Sequence, residues 1–422
     1  MPVRSPTRSL PTALLLLTVL TAACGSATDR STPTDASGSA APGAGVACDG
    51  AEEPVLVAYE RATGAASWRS CSGVPAWRRV LAVSEHTVLV LETIETAGSP
   101  STQHDELVAI DPADGRERWR QQLSPHGPWL GPEDGPVAGA GVVVVVVDAA
   151  GTPMVTGLDE LSGAQRWAVP AETTRFVVRL PDGSVAGSAD GAPIAGQLPA
   201  SVVHTDRFAI VPALDGLRAL DRTTGVERWH ATGVEQAETA SGDTVIAHAA
   251  GVLMGSAPEL VGLDGRTGTI RWQHAASLYS WHATANAVLA QPNDSTISAL
   301  DAATGTVRWT QPGTPSYGGL MAISDSTVVI FESHEQRSLV GYDLEDGGLR
   351  WRRQVGPTMA GQPQLGHGDA VFLLGGGLLT ALAAEDGSTR WTVPTPAGKL
   401  ESSVGADEAR VYVTSNTMPW RD

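Results

Sequence analysis

Ile297–Trp309 reads ISALDAATGTVRW. Its start alternates apolar and small residues, as a half-buried strand does. Asp301 then opens a turn, because a short carboxylate accepts hydrogen bonds from backbone N–H groups just ahead of it. Gly305 can take the left-handed backbone that a bulged hairpin demands. Trp309 falls on the returning strand, where its ring can pack on a neighbouring unit. The stretch therefore predicts a β-hairpin closed by an indole.

The same phrase is written eight times. Before it stand LVAYERATGAASW (Leu56–Trp68), LVAIDPADGRERW (Leu107–Trp119), VTGLDELSGAQRW (Val155–Trp167), LRALDRTTGVERW (Leu217–Trp229) and LVGLDGRTGTIRW (Leu260–Trp272). After it stand LVGYDLEDGGLRW (Leu339–Trp351) and LTALAAEDGSTRW (Leu379–Trp391). The third place is always Ala or Gly, which implies close approach of a sheet or an indole. Asp holds the fifth place in six copies, with Glu60 and Ala383 as exceptions. Arg precedes Trp in seven copies, from Arg118 to Arg390. Strand alternation would turn that arginine away from the Trp, so it reads as a solvated side chain covering the sheet with its stem. A ring of anion sites is the sharper alternative.

An apolar strand pair separated by a polar turn precedes each later phrase, as in MAISDSTVVIF before the seventh. Four antiparallel strands, A to D, recurring about every 40 residues, make a propeller blade. The first phrase lacks an A–B pair, and SSVGADEARVYVTSNT after Trp391 is an A–B pair without a phrase. The two ends would complete one mixed blade. The prediction is an all-β, eight-bladed propeller, expected to be monomeric.

These phrases resemble the repeat of the quinoprotein alcohol dehydrogenase-like propellers, over residues 51–416. The resemblance implies that Trp68, Trp119, Trp167, Trp229, Trp272, Trp309, Trp351 and Trp391 dock between blades. That superfamily holds calcium- and pyrroloquinoline-quinone-dependent enzymes. It also holds non-catalytic BamB-like lipoproteins and sensor propellers. The repeat specifies a shape, so function must come from a site. Its enzymes grip the quinone with adjacent cysteines, and this chain has none. The repeated aspartates are explained by the turn. No nucleophile elbow, zinc-helix motif or phosphate-binding loop is present. The expectation is no catalytic residue, metal or cofactor, with a quinone- and calcium-dependent dehydrogenase as the alternative.

Composition agrees with many short strands joined by turns. The 422 residues include 47 Gly and 28 Pro, and only 18% are charged. The net charge is −18 and no Lys/Arg cluster appears, so the basic face that nucleic acid needs is not expected, and the sole lysine, Lys399, reads as codon bias. Residues 1–23 carry Arg4 and Arg8, a short apolar run and then Thr21-Ala22-Ala23 before Cys24. That is a secretory signal ending in a lipobox-like site, with acylation expected at Cys24. Thr21 stands where such sites usually carry Leu. Residues 24–47 are small and polar and read as a flexible tether. The propeller then occupies 48–422. Localisation is expected on the extracytoplasmic face of the cell membrane, anchored by lipid, or at an outer membrane where the host has one. Cys48 and Cys71 are the other cysteines, and outside the cytoplasm they favour a disulfide contributing about 3 kcal/mol.

Spacing points to where a partner would dock. The Trp-to-Trp steps are 51, 48, 62, 43, 37, 42 and 40 residues, so the insertions gather in blades two to four. Residues 93–106 are expected as a B–C loop, and 120–138 and 170–200 as D–A loops. The last should contain a hairpin turning at Pro181-Asp182-Gly183. All three belong at one end of the blades. Long loops on a rigid scaffold often carry function, and Trp129, Phe176 and Arg179 are the partner-binding candidates. The expected role is a scaffold that binds a protein, peptide or envelope polymer.

Overall fold

In a computed structural model the chain divides into two units, Met1–Ala41 and Pro42–Asp422. The described residues all belong to the second and are 55–72, 76–96, 102–123, 141–149, 152–171, 178–179, 185–186, 202–213, 215–249, 259–275, 278–284, 286–292, 296–312, 321–332, 338–355, 362–395 and 403–415. They form an eight-bladed β-propeller with eight blade sheets and one short additional ribbon.

The first blade joins the two ends of this unit. Its order is Ala66–Cys71, Val55–Glu60, Arg410–Ser415, Val404–Ala406. Val55 pairs with Ser415 and Glu60 with Arg410, all antiparallel. The mixed blade expected from the sequence is thus the one observed. The second blade comprises Ala76–Val83, Val88–Thr96, Thr102–Ile110 and Glu117–Gln122. The third has three described strands, Val142–Ala149, Thr152–Asp159 and Gln165–Pro170. Blades four to eight each hold four, within 203–232, 234–275, 278–312, 321–354 and 362–394.

Three expectations need correction. Residues 93–106 are mostly strand, because the B–C ribbon of the second blade keeps pairing out to Thr96 and Thr102. Only 97–101 lie outside the described residues. The B and C strands are not half-buried either. Val88–Leu91 and Leu56–Tyr59 are buried at every position, because neighbouring blades cover both faces. The arginine before each Trp does not simply alternate. Ala299 pairs with Trp309 but Leu300 pairs with Val307, so Arg308 is the extra residue of a bulge, and the other repeats slip likewise. Of the small hairpin expected in the third insertion, Val178 pairs with Ala186 and Arg179 with Val185, while its turn at Pro181-Asp182-Gly183 lies outside the described residues.

The core is distributed rather than central. Eight buried apolar clusters are present, each made by two adjacent blades. The pair formed by the eighth and first blades, around Phe372, Trp391 and Val413, is as well filled as the others. Eight blades with eight filled interfaces are a closed ring, since an open row of eight would have one fewer.

Candidate functional site: the docking ring and the charged row of the second blade

Every repeat Trp reaches into the next blade. Its indole Nε1 donates to one backbone carbonyl there, at 2.8 to 3.0 Å. The acceptors are Pro112, Glu160, Arg222, Gly265, Ala302, Leu344 and Ala384 for Trp68 to Trp351 in turn. Trp391 closes the circuit on Arg61. Each acceptor directly follows the fifth place of its phrase. Apart from Pro112, which has no N–H, its own amide donates to the A–B turn of the same blade, as Gly265 does to Asp243 at 2.7 Å. The backbone of one residue thus ties the outer turn to the inner turn and holds the neighbour's indole.

Shape explains the invariant small residues. A Cβ on Gly305 would lie 2.5 Å from Cδ2 of Trp272 in the preceding blade, and its φ is +69°. The third place lies under the blade's own indole, since Ala58 pairs with Trp68 and a Cβ on Gly262 would meet Trp272 at 2.1 Å. Each repeat Trp therefore fills the space between its own C strand and the turn glycine of the next blade.

The carboxylate at the fifth place does two jobs. In Asp301, Oδ1 accepts from the amides of Ala303 and Thr304, and Oδ2 accepts from Arg308 at 2.6 Å. Asp111, Asp159, Asp221, Asp264 and Asp343 hold Arg118, Arg166, Arg228, Arg271 and Arg350 in the same way. The arginine is a turn clamp, neither loosely solvated nor an open anion site. The exceptions are coupled. Where the fifth place is Glu60, Ser67 replaces the arginine and donates to it at 3.4 Å. Where it is Ala383, Arg390 turns to Asp369 in the A–B turn instead, at 2.6 Å. Hydrogen bonds from Arg166 and then Ser162 hold the Asp159 carboxyl down at about 2.

A second polar feature crosses the second blade, and the repeat gave no sign of it. Arg78, Glu92 and Glu106 stand side by side on strands A, B and C. Arg78 and Glu92 are fully buried and paired, with Arg78 Nε donating to Glu92 Oε1 at 2.6 Å and Nη1 to the Ser70 carbonyl at 2.6 Å. Arg120 joins Glu92 at 2.8 Å, Glu117 at 2.8 Å and also Glu106. Burial lowers the Arg78 guanidinium, opposed by Glu92. The Arg120 guanidinium is also desolvated, yet the carboxylates of Glu117, Glu106 and Glu92 raise it. The seventh blade repeats the motif in smaller form with Glu332, Ser338 and Arg352. The row lies toward the B–C end, below the ribbon whose unusual length the spacing had flagged. Its only sequence trace is Arg and Glu inside otherwise apolar strands.

A third feature is His204 in the inner strand of the fourth blade. Both ring nitrogens are buried and without hydrogen-bond partners. Burial first, and the Arg222 charge second, bring its imidazole down to about 3, so it is neutral at ordinary pH.

The remaining sequence candidates divide. Cys71 is in a disulfide, and its partner lies outside the described residues, as do Cys24 and Cys48. Trp129 and Phe176 also lie outside them. Arg179 sits in the short ribbon Val178–Arg179, opposite Val185. Among the described residues no three His, Cys, Asp or Glu side chains converge as metal ligands.

Comparison with known proteins agrees with the architecture. The chain is similar to BamB from Moraxella catarrhalis at 14% identity and a TM-score of 0.44, covering 90% of this chain and 98% of that one. It is similar to the computationally designed protein Ika8 at 13% identity and a TM-score of 0.52, covering 80% and 96%. It is similar to a quinohemoprotein alcohol dehydrogenase, ADHIIG, from Pseudomonas putida at 12% identity and a TM-score of 0.47, covering 82% and 78%. Of the three, only the likeness to Ika8 exceeds a TM-score of 0.5, and at 13% identity it concerns the fold alone. No curated protein sequence matches the chain. The sequence model described as outer membrane protein assembly factor BamB matches residues 52–203, 192–285 and 293–417, nearly the whole propeller, and the chain belongs to that family.

Proposed function

We propose that the chain is an exported lipoprotein, anchored through Cys24, whose propeller binds a protein partner in the cell envelope and catalyses no reaction. Family membership supports the envelope setting. The observation that carries the non-catalytic reading is the engagement of the repeated carboxylates. Asp111, Asp159, Asp221, Asp264, Asp301 and Asp343 would be the obvious general bases, and each is spent on turn amides and an arginine. A carboxylate held on both oxygens in that way is not free to reach a substrate proton. Binding falls to the decorated end of blades two to four. There the long B–C ribbon of the second blade stands on its buried charged row, a rigid support for a contact surface. In this reading Cys71 pairs with Cys48, which leaves Cys24 for the lipid.

Cross-linking in intact cells followed by capture of the full chain tests this reading. The wild type is expected in the membrane fraction with a defined envelope protein, and Cys24→Ala in the soluble fraction. Deleting residues 172–190 should reduce that capture. An unchanged partner set after the deletion counts against the loop face. Turnover of an alcohol by the purified chain with quinone and calcium would overturn the non-catalytic reading.

A further inference from the structure

Six large apolar side chains are exposed among the described residues, and five of them fall in one row, one in or just after the C–D turn of each of blades three to seven. Leu161 and Val226 lie in the C–D turns of blades three and four. Ile270, Val307 and Leu349 open the outermost strands of blades five, six and seven. Their exposures run from 46% to 59%. The row therefore places one apolar side chain per blade across five consecutive blades, at the end opposite the long insertions.

The fold does not require apolar residues there. The place held by Ile270, Val307 and Leu349 is held by Ala66, Glu117, Gln165, Glu227 and Thr389 in the other repeats. The C–D turns of the first, second and eighth blades expose no large apolar residue. Single exposed aliphatics are ordinary, but a run confined to adjacent blades is the mark of a contact surface.

Charge selects the occupant. At its Leu349 end the arc meets Asp325, Glu345, Asp346, Glu385 and Asp386. All five are exposed, and none makes an ion pair among the described residues. The whole chain carries −18. An anionic lipid surface or a second copy of this chain would bring like charge to the arc. A basic segment with apolar side chains would match both the aliphatics and the carboxylates.

We propose that the rim arc Leu161–Val226–Ile270–Val307–Leu349 is a docking surface for a basic, apolar segment of a partner protein. It is separate from the loop end proposed above. The test is fluorescence anisotropy with a labelled peptide of alternating Leu and Arg, against one of alternating Ser and Arg. The full chain is held in zwitterionic nanodiscs, with empty discs as blank. The Leu-Arg peptide should bind the wild type at least about tenfold more tightly than the Ser-Arg peptide, a difference of about 1.4 kcal/mol. Ile270→Thr, Val307→Thr and Leu349→Thr together should remove about that tenfold advantage. The matched control, Gln165→Thr with Glu227→Thr, should keep it, as should deletion of 172–190, which separates this surface from the loop end. Equal binding of both peptides, or a triple variant that binds like wild type, would overturn the proposal. So would sedimentation showing a wild-type dimer that the triple variant loses, since the arc would then belong to a second copy.

Discussion

At the residue scale the propeller rests on a contact between one indole and one glycine. Gly305 needs both its positive φ and its missing Cβ, because Trp272 lies against it. Gly377 has φ +75° but nothing within 4 Å of a Cβ. The pair separates strain from space. Gly377→Ala should cost about 1 to 2 kcal/mol, the strain of left-handed backbone alone. Gly305→Ala should cost about 3 kcal/mol or more, because the ring must also move. Urea denaturation of the two variants checks the order, and equal losses would remove the steric argument. The eight docking tryptophans and their glycines were legible in the sequence because spacing alone exposes them. The acceptor carbonyl was not, since Pro112, Glu160, Arg222 and Gly265 share no side-chain chemistry. Only their peptide group is used, and a backbone contact leaves no trace in residue identity.

At the scale of the element, each C–D hairpin is a turn locked by one carboxylate and one arginine. Asp159 is held ionised well below its ordinary range. Its folded value is depressed, so its stabilising share is complete above about pH 4 and disappears as pH falls through about 2. Asp159→Asn keeps the amide caps and loses the charge. It should cost about 1 kcal/mol at pH 6, after allowance for solvent screening. The gap to wild type in urea midpoint should close as the pH approaches 2. A gap independent of pH would assign the cost to packing. The aspartate was readable as a turn residue. Its arginine was misread, because period-two alternation ignores the bulge that swings Arg308 and its equivalents back over the turn. The charged row of the second blade was hidden for another reason. Arg78 and Glu92 come from separate strands, and only register brings them together.

At the scale of the whole molecule, closure is the decisive event. Val55–Glu60 would be a free edge without Arg410–Ser415. Unpaired edges invite other chains. Removing residues 404–422 should therefore give species larger than the full chain's on size exclusion and lower the unfolding temperature. A truncated chain that elutes no earlier and melts like wild type would show that the ring does not depend on its seam. The sequence showed this closure plainly, because half a blade is missing at one end and supplied at the other. It was silent on the apolar arc, because its members hold different places in their phrases and come together only when the C–D turns of successive blades are set at one rim.

The bond from Trp391 to the Arg61 carbonyl joins residues 330 positions apart. A polypeptide made from its amino end delivers Arg61 long before Trp391. Throughout that interval the emerging protein is an unfinished crescent with two sticky flanks, and it becomes self-contained only with the arrival of its final strands. Synthesis of this molecule therefore carries a period of vulnerability whose length is set by the rate of chain growth, during which the cell must keep the first blade from finding a stranger.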